Sequence, residues 1–378
     1  AATPSLANTG DANTGVYFPA ADTVGVVAGG TEQFRFGSNP VNGSRNLLIN
    51  GAMTVYQHGQ QTTAASNQYS LDRWCWHQSS GEGGTKSQNT SVPSGSGFAY
   101  SYKYDVTTAG GAPGAAEFNI IEQRIEAQNL QHLLYGNAAA KTLALSFWMS
   151  SPKSGTHCVA LYQPDASRSY IREFTVASAD TWEKFSVTFP GDASGTITND
   201  NGAGLHVVFP MNVGSNYEAT KDQWASGQDY ATSSAQNLLD NTANNIYLTG
   251  IQLEVGGVST DFEYEDYGTT LERCKRYYQK IEGAYGVSSG VSVDTTTQAV
   301  IIHRLAVQMR ATPTATASLA GTQTLLSANT NIFSSLDTTA MYDSLIGYFV
   351  FTVSSGTAGR SGRWTMGAGS KLEWSAEL

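Results

Sequence analysis

The amino-acid sequence predicts a mostly β protein, and three observations support this fold class. Only 14% of the 378 residues are charged, whereas 11% are aromatic, and aromatic side chains suit the half-buried surface of a sheet. The chain contains 39 glycines, which disfavour helices and permit tight turns. Short apolar runs with a period of two residues recur along the chain, as antiparallel strands require. We expect an N-terminal β stalk, a two-sheet sandwich, one linking helix and a C-terminal β domain.

Residues 1–44 are predicted to form an oligomeric stalk or connector. Short alternating runs, such as Val24 with Val26 and Phe34 with Phe36, are separated by glycine, asparagine and aspartate turns. Such strands are too short to enclose a core, and a lone hairpin is only marginally stable in water. Their unpaired edges invite pairing with another chain. The segment is therefore expected to fold against copies of itself in a symmetric oligomer.

Residues 45–267 are predicted to form the sandwich, with its first strand beginning at residues 47–49. In LALSFWMSS, every second residue from Leu143 to Met149 faces one side of a strand, and Trp148 faces the other. One side is therefore core. Similar alternating runs predict further strands at residues 98–106, 158–163, 172–177, 183–189, 205–211 and 245–255.

The stretch EFNIIEQRIEAQNLQHLLYG, residues 117–136, is ambiguous. It fits a strand that continues as a short helix. In that interpretation Leu130, Leu133 and Leu134 form the apolar stripe of the helix.

Residues 268–378 are predicted to contain the linking helix and a C-terminal β-rich domain. The sequence TTLERCKRYYQKIEG has Thr269 and Glu272 at capping-box spacing, and Gly283 supplies a stop. The apolar stripe of this helix is expected to comprise Leu271, Cys274, Tyr278 and Ile281. Strands are predicted beyond it at residues 298–309, 311–320 and 345–354, the last of them covered on both faces.

Composition argues against several classes of partner and cofactor. The formal net charge of −10 disfavours nucleic acid, which is bound through clustered lysine and arginine. No run approaches the roughly 18 apolar residues that would insert into a membrane. Cys75, Cys158 and Cys274 are widely spaced and odd in number, so we expect buried free thiols. No cofactor and no metal site are predicted.

Candidate catalytic groups are weak. Gly286, Ser288 and Gly290 fit a GxSxG spacing, but no helix follows the serine as a nucleophile elbow requires. His303 lies in an apolar run, where a core or subunit-contact role is the simpler interpretation. Asp261, Glu263 and Glu265 would share one side of an extended segment, and a solvated acidic linker explains them as well as a carboxylate pair for glycoside cleavage. No catalytic residues are assigned.

A binding site needs fewer specialised side chains than a catalytic site. Sugar recognition uses exposed aromatic rings flanked by amide and carboxylate side chains. The loop at residues 216–237 places Trp224 and Tyr230 among such neighbours, and these two residues are the predicted glycan-binding site. The alternative is that Trp224 closes the end of the sandwich as part of its core. Trp74 and Trp76 alternate on one face, and core packing is expected for at least Trp74.

The ordered landmarks resemble tail-fibre-like and receptor-binding proteins of tailed bacteriophages and prophages. These landmarks are RNLLINGAMTVYQHG, YSLDRW, LSFWMSS, TWEKFSVTF, NIYLTGIQLEVG and LERCKRYYQK, preceded by TGDANTGVY, which resembles a recurrent fibre motif. The resemblance spans residues 5–312 and fades beyond them. It implies a homotrimeric, virion-attached fibre in which a stalk precedes a jelly-roll module similar to carbohydrate-binding modules. In modules of this shape a structural calcium often uses an acid in the last strand, but Thr249 and Gly250 stand there in this chain, which argues against that metal site.

This resemblance implies a phage fibre or receptor-binding protein that attaches non-catalytically to a host-surface glycan. The expected partners are two further copies of the chain, other virion proteins through the N-terminal region, and host-surface carbohydrate. Its expected location is the exterior of the phage particle, on the tail or the capsid. The alternatives are a structural virion component, such as a capsid-decorating head fibre or a tail adaptor, and, less favoured, a polysaccharide depolymerase.

Overall fold

A computed structural model describes the chain except for residues 1–3, 21–22, 37–44, 63–64, 283–285, 294–297, 319–323, 328, 342–345, 354–360 and 366–369. The described residues form antiparallel sheets, one α-helix and two 3₁₀ helices, so the predicted mostly β class is confirmed. None of the helices in these described parts is long and apolar enough to cross a membrane.

The N-terminal segment forms a four-stranded antiparallel sheet in sequential order. Its strands are β1 (Leu6–Asn8), β2 (Asp11–Ala20), β3 (Thr23–Ala28) and β4 (Thr31–Phe36). Val27 is buried, but Leu6 and Phe18 are 64% and 59% exposed. The prediction of short strands that do not enclose a core of their own agrees with this open sheet.

Two packed antiparallel sheets form the predicted sandwich. Its strands are β5 (Gln68–Tyr69), β6 (Cys75–Gln78), β7 (Gly83–Asn89), β8 (Ser101–Thr108), β9 (Phe118–Glu126), β10 (Leu143–Ser150), β11 (Gly155–Gln163), β12 (Arg168–Val176), β13 (Trp182–Phe189), β14 (Ala203–Val213), β15 (Trp224–Ser226) and β16 (Asn245–Val255). One sheet has five strands in the order β13-β10-β16-β8-β7. The other has seven, in the order β15-β12-β11-β14-β9-β6-β5.

The core lies between these two sheets. Phe147 on β10 meets Phe209 on β14 edge to face, with ring centroids 5.0 Å apart. Trp74 and Trp76 are both fully buried, which confirms the predicted core role of Trp74. Leu143 and its period-two neighbours on β10 are buried, as the sequence predicted. The other side of the strand is buried too, except at Trp148.

The prediction of a first strand at residues 47–49 is wrong. Residues 45–55 are irregular. The Leu47 N–H donates to the Leu253 carbonyl at 2.8 Å and the Ile251 N–H donates to the Gly51 carbonyl at 3.0 Å, and asparagine side chains supply further hydrogen bonds. Asn46 Nδ2 donates to the carbonyl of Ile251 at 3.0 Å, and the Leu253 N–H donates to Asn46 Oδ1 at 3.0 Å. Asn50 acts in the same way toward the carbonyl of Val55. The apolar run is still buried in the sandwich, but as irregular chain.

The ambiguous stretch resolves into strand β9 followed by a 3₁₀ helix at Ala127–Leu133. Leu130 and Leu133 are buried, as predicted. Leu134 is not part of the apolar stripe, because it ends the helix in a left-handed conformation with φ of 55° and is 45% exposed.

The linking helix α1 (Tyr267–Lys275) begins and ends earlier than predicted. Its N-cap is Asp266, whose carboxylate accepts a hydrogen bond from the Thr269 N–H at 3.0 Å, so the predicted capping box is wrong. The chain then turns, and Tyr278 belongs to a strand. The predicted stripe therefore holds for Cys274, which is fully buried, but stops before Tyr278.

The C-terminal strands form a six-stranded closed barrel and a three-stranded sheet. They are β17 (Tyr278–Glu282), β18 (Gly286–Val293), β19 (Gln298–Arg304), β20 (Thr314–Ser318), β21 (Thr324–Ser327), β22 (Asn329–Met341), β23 (Ile346–Val353), β24 (Ser361–Thr365) and β25 (Lys371–Ser375). The barrel order is β18-β19-β23-β22-β21-β24, and β25 is the middle strand between β17 and β20. The predicted strand at 298–309 ends at residue 304, and those at 311–320 and 345–354 correspond to β20 and β23. The predicted cover on both faces of β23 concerns side chains outside the described set.

The segment after β25 packs on the sandwich through an ion pair. Arg73, which is 1% exposed, donates to the carboxylate of Glu377, and its guanidinium lies 3.5 Å from the centroid of the Tyr277 ring. Beside it, Arg276 makes a two-pronged contact with Glu126, with both N···O distances 2.8 Å. These contacts join the YSLDRW and KRYY sequences, although the domain boundaries at 44 and 267 stay predictions.

Candidate functional site

The prediction that Tyr230 presents an exposed ring is wrong. Tyr230 is fully buried on the outer side of the seven-stranded sheet, where its ring stacks on Tyr217 at 5.7 Å and meets Phe118 at 5.8 Å. Its hydroxyl accepts a hydrogen bond from Gln228. Burial of this large ring against the sheet contributes favourable hydrophobic free energy to folding. Because the ring has no exposed face, a sugar cannot stack on it in this conformation.

Trp224 is half-buried and lies at the edge strand β15. Its ring meets Tyr135 and Tyr170 edge to face at 5.8 and 5.4 Å, and Nε1 donates to the Pro190 carbonyl at 2.8 Å. These contacts match the alternative interpretation, in which this tryptophan packs at the end of the sandwich. The structure does not bring Trp224 and Tyr230 together on one exposed face.

A different set of rings lies on the outer face of the five-stranded sheet. Ser150 on β10 is directly opposite Trp182 on β13 and Tyr247 on β16. Directly opposed residues in an antiparallel sheet point to the same side. Trp148, two residues before Ser150, shares that side. We call Trp148, Trp182 and Tyr247 the aromatic face.

The rings of the aromatic face are accessible to solvent, and neighbouring side chains fix their orientation. All three rings are half-buried, whereas the core rings Tyr102 and Phe147 of the same sheet are fully buried. The rings of Trp182 and Tyr247 lean together over the short side chain of Ser150, with centroids 6.1 Å apart at 53°. Trp182 Nε1 donates to Ser91 Oγ at 3.4 Å, which fixes the indole at one end. Half-buried, preoriented rings of this kind offer apolar surface at low entropic cost.

Gly250 sets the position of the third ring. Its φ of +60° lies in the left-handed region, and strand β16 changes its register with β10 at this point. A Cβ at this position would lie 3.1 Å from Trp148 Cδ1 and 2.5 Å from Phe98 Cζ. Only glycine satisfies both the backbone angle and the close approach of these two rings.

Charged groups border the aromatic face, and a loop covers the rest of the sheet. Lys184 is exposed directly opposite Trp148, and Lys103 Nζ lies 6.0 Å from the Tyr247 ring centroid and 3.4 Å from Asp105. Residues 258–263 cross the remaining part of the outer face. They are held by contacts such as the Thr260 N–H to Glu254 Oε1 at 2.7 Å. The open half of the sheet therefore combines stacking surface with hydrogen-bonding and cationic groups.

A buried ion cluster lies on the outer face of the other sheet. Glu122 is fully buried, with Arg124 Nη2 2.6 Å, His77 Nδ1 3.3 Å and His206 Nδ1 2.8 Å from its oxygens. Burial raises the pKa of Glu122, but the two histidines and Arg124 outweigh it and hold the pKa well below its usual range. The carboxylate is saturated with donors and is therefore structural.

The predicted catalytic candidates are engaged in structural contacts. Glu263 accepts a hydrogen bond from the Asn46 N–H at 2.9 Å, and Glu265 pairs with Arg273 at 3.0 Å. Gly286, Ser288 and Gly290 lie in strand β18, so no helix follows the serine. His303 is half-buried and stacks on Trp374 with centroids 4.9 Å apart, in keeping with the simpler interpretation given to it.

The three cysteines are not paired with one another. Cys75, Cys158 and Cys274 are free and buried, as predicted. Within the described ranges, no three side chains of the His, Cys, Asp and Glu types are grouped as metal ligands.

The aromatic face was missed at the level of sequence, although a signal for it was present. The alternation in LALSFWMSS assigned Trp148 to the side opposite the core. A single surface tryptophan needs no explanation, but a contiguous group of aromatic rings marks an interaction surface. Trp182 and Tyr247 lie on the same side of the sheet as Trp148 because of the strand order and register, which no local sequence pattern encodes.

No protein-family model and no curated protein sequence matches the chain. Among solved structures it is similar to the enzymatically active domain of tailspike protein 4 of bacteriophage CBA120, at 10% identity and a TM-score of 0.31, covering 56% of this chain and 22% of that one. It is also similar to a xylan-binding domain from CBM 22, at 15% identity and a TM-score of 0.27, covering 55% of this chain and 98% of that one. A family 11 carbohydrate-binding module from Clostridium thermocellum gives 10% identity and a TM-score of 0.27, with 53% and 98% covered. With TM-scores of 0.31 or lower, these likenesses carry no argument about function.

Proposed function

We propose that the protein is a non-catalytic phage fibre or receptor-binding protein whose sandwich attaches to a host-surface glycan through the aromatic face. The observation that supports this proposal is the half-buried group of Trp148, Trp182 and Tyr247 on one side of three adjacent strands. Pyranose rings have apolar faces that stack on such rings, and their hydroxyl groups bond to polar side chains at the border.

The polar border gives this surface the remaining features of a sugar site. Ser150 lies between two rings, and Lys103, Asp105 and Lys184 supply donors and acceptors at its margin. The glycan-binding role predicted for Trp224 is kept as a secondary prediction, because that ring is half-buried and committed to Tyr135 and Tyr170.

The fibre assignment rests on the resemblance of the ordered sequence landmarks, and the N-terminal sheet is compatible with it. This sheet leaves Leu6 and Phe18 exposed. In the proposed homotrimer those side chains would be covered by neighbouring copies or by another virion protein. Three sites on one rigid particle would gain avidity, so each site needs only weak affinity for sugar.

The test compares two tryptophan variants on an array of bacterial surface oligosaccharides. Trp148→Ala combined with Trp182→Ala should reduce binding about tenfold or more, which corresponds to about 1.4 kcal/mol. Trp224→Ala tests the secondary prediction and should reduce binding less than the double variant does. The matched control is Tyr267→Ala, which removes an exposed aromatic ring from helix α1 and should leave binding unchanged. Circular dichroism of each variant reports whether the sandwich remains folded.

Two outcomes would argue against the proposal. Equal binding by the folded double variant and the unaltered protein would exclude the aromatic face as the sugar site. Release of oligosaccharide from host polysaccharide by the purified protein would replace non-catalytic adhesion with depolymerase activity.

A further inference from the structure

We propose that the glycan bound by the aromatic face is acidic, with carboxylate or phosphate groups on more than one sugar unit. This inference rests on the proposed glycan-binding function and specifies the charge of its ligand. Two lysines support it, because Lys103 and Lys184 lie on the same side of the five-stranded sheet as the rings and at opposite margins of the ring group.

The register of the strands places both lysines on this side. Lys184 on β13 is directly opposite Trp148, and Lys103 on β8 is directly opposite Tyr247. Directly opposed side chains in an antiparallel sheet point the same way. The ammonium group of Lys103 lies 6.0 Å from the centroid of the Tyr247 ring, so its side chain follows the aromatic face. A cation therefore lies at each margin of the ring group.

Lys184 is available to an external anion. Its side chain is exposed, and among the residues that the structure describes no carboxylate forms an ion pair with it. The neighbouring acid in the sequence, Glu183, instead accepts hydrogen bonds from the N–H groups of Ala177 and Ser178 at 3.0 and 2.9 Å. The positive charge of Lys184 is therefore not neutralised within this sheet.

Lys103 is neutralised only in part. Its Nζ lies 3.4 Å from the carboxylate of Asp105, whose side chain is 39% exposed. Exposed ion pairs of this kind are weak, because water and salt screen the two charges. An anionic group on a sugar can therefore compete with Asp105 for the ammonium group.

The charge of these two margins differs from that of the chain as a whole. The protein has 31 acidic and only 21 basic residues, so its net charge repels an acidic polymer. Charges farther away than about 8 Å are largely screened at physiological ionic strength, whereas a lysine in contact with the ligand is not. A neutral sugar would need the rings and polar groups alone. The cations at both margins therefore favour an acidic ligand.

The distance between the two lysines sets the length of the ligand. Strands β10 and β16 separate β13 from β8, and Lys184 is two residues along from the row that contains Lys103. With about 4.8 Å between strands and about 3.3 Å per residue, the two Cα atoms are about 16 Å apart. The rings of the aromatic face lie between them. One acidic monosaccharide therefore reaches one lysine, whereas an oligosaccharide with several acidic units can stack on the rings and contact both.

The experiment uses the full chain on an array in which each acidic bacterial surface oligosaccharide is printed beside a neutral copy. The neutral copies are made by reducing carboxylates to alcohols or by removing phosphates, so they also distinguish the two kinds of anion. We expect the acidic forms to bind about tenfold more tightly, as two exposed ion pairs allow. This difference should shrink as sodium chloride is raised from about 0.05 to about 0.5 M. A free acidic monosaccharide should compete poorly with the oligosaccharides.

Lys103→Gln combined with Lys184→Gln should lower the binding of acidic oligosaccharides to that of their neutral copies, and leave the binding of the neutral copies unchanged. Asp105→Asn should strengthen the binding of acidic oligosaccharides about twofold, because Lys103 loses its competing carboxylate. The matched control, Lys221→Gln, removes a positive charge beside Glu173 of β12 in the other sheet and should behave like the unaltered protein. Circular dichroism reports whether each variant is folded.

Equal binding of acidic and neutral copies would overturn the acidic ligand while leaving the sugar site in place, and so would acidic binding that survives in the folded double-lysine variant. Competition by an acidic monosaccharide as strong as that by an oligosaccharide would overturn the requirement for several acidic units. Failure of the proposed function gives a different result. The variant with Trp148→Ala and Trp182→Ala would then bind acidic and neutral copies as well as the unaltered protein does.

Discussion

Lys86 is a charged side chain inside the sandwich. It is fully buried, and its Nζ lies 5.7 Å from the centroid of the Trp76 ring and 5.9 Å from that of Tyr104. Burial lowers the pKa of Lys86 to about 8 from the ordinary value of 10.5. The rings stabilise the ammonium group only in part.

This shift predicts a pH dependence of stability. Between the folded pKa of about 8 and the unfolded value of 10.5, the unfolded chain holds the Lys86 proton that the folded chain releases. The unfolded state therefore binds more protons, and the free energy of unfolding should rise as pH increases above about 8. Lys86→Met should remove this rise in urea unfolding measured at about pH 7 and pH 9. Lys184→Met, which alters an exposed lysine, is the control; an unchanged pH slope in Lys86→Met would refute the explanation.

Individual residues show which features of the structure follow from a local sequence pattern and which do not. Burial of Trp74 could be predicted, because it follows a local alternation of apolar residues. The burial of Tyr230 could not, because it depends on how the loop folds back so that Tyr217 stacks on the ring, and on Phe118, which belongs to the distant strand β9. For the same reason, local sequence patterns favour Trp224, in a polar loop, over Trp148, within a strand, as the tryptophan that contacts sugar.

The position of the rings in the aromatic face depends on the backbone conformation of Gly250 in strand β16. Gly250→Ala should destabilise the protein by about 1–2 kcal/mol for the left-handed backbone alone. It should also weaken glycan binding, because the new methyl group displaces Phe98 and Trp148. Urea unfolding and the oligosaccharide array measure the two effects.

A second glycine supplies the control for this element. Gly257 follows the same strand, and a Cβ there would meet nothing within 4 Å. Gly257→Ala should therefore leave stability and binding nearly unchanged. Equal effects from both substitutions would mean that the conformation of Gly250 does not position the rings.

Strands were more predictable than their connections. Period-two runs located β10, β13 and β16, because alternation is a local property of a half-buried strand. The segment at residues 45–55 also carries an apolar run, yet it is irregular, and the Asn46 side chain bonds to β16 between the backbone contacts of Leu47 and Gly51. The start of helix α1 also differs from its predicted position. The side chain of Asp266 caps the helix about one turn before Thr269, where the sequence pattern placed the cap.

At the scale of the whole molecule, the proposed trimer makes a direct prediction. Sedimentation equilibrium of the full chain should give the mass of three copies. Binding to a glycan-coated surface should exceed binding to the same soluble glycan by about 10² to 10⁴, because linked sites engage with high effective concentration. A stable monomer that binds both forms equally would contradict the trimer, while leaving the sugar site itself to the array experiment.

Arg73 and β25 have a consequence for how the protein is made. During translation, the sandwich leaves the ribosome long before residues 371–378, which follow every barrel strand. Until those residues arrive, Arg73 lacks the carboxylate of Glu377, and β17 and β20 lack the strand that lies between them. A product interrupted within the barrel would keep a solvated arginine and two open strand edges, which proteases and chaperones recognise. Synthesis of residues 371–378 thus separates chains that can complete the three-stranded sheet from fragments that stop within the barrel.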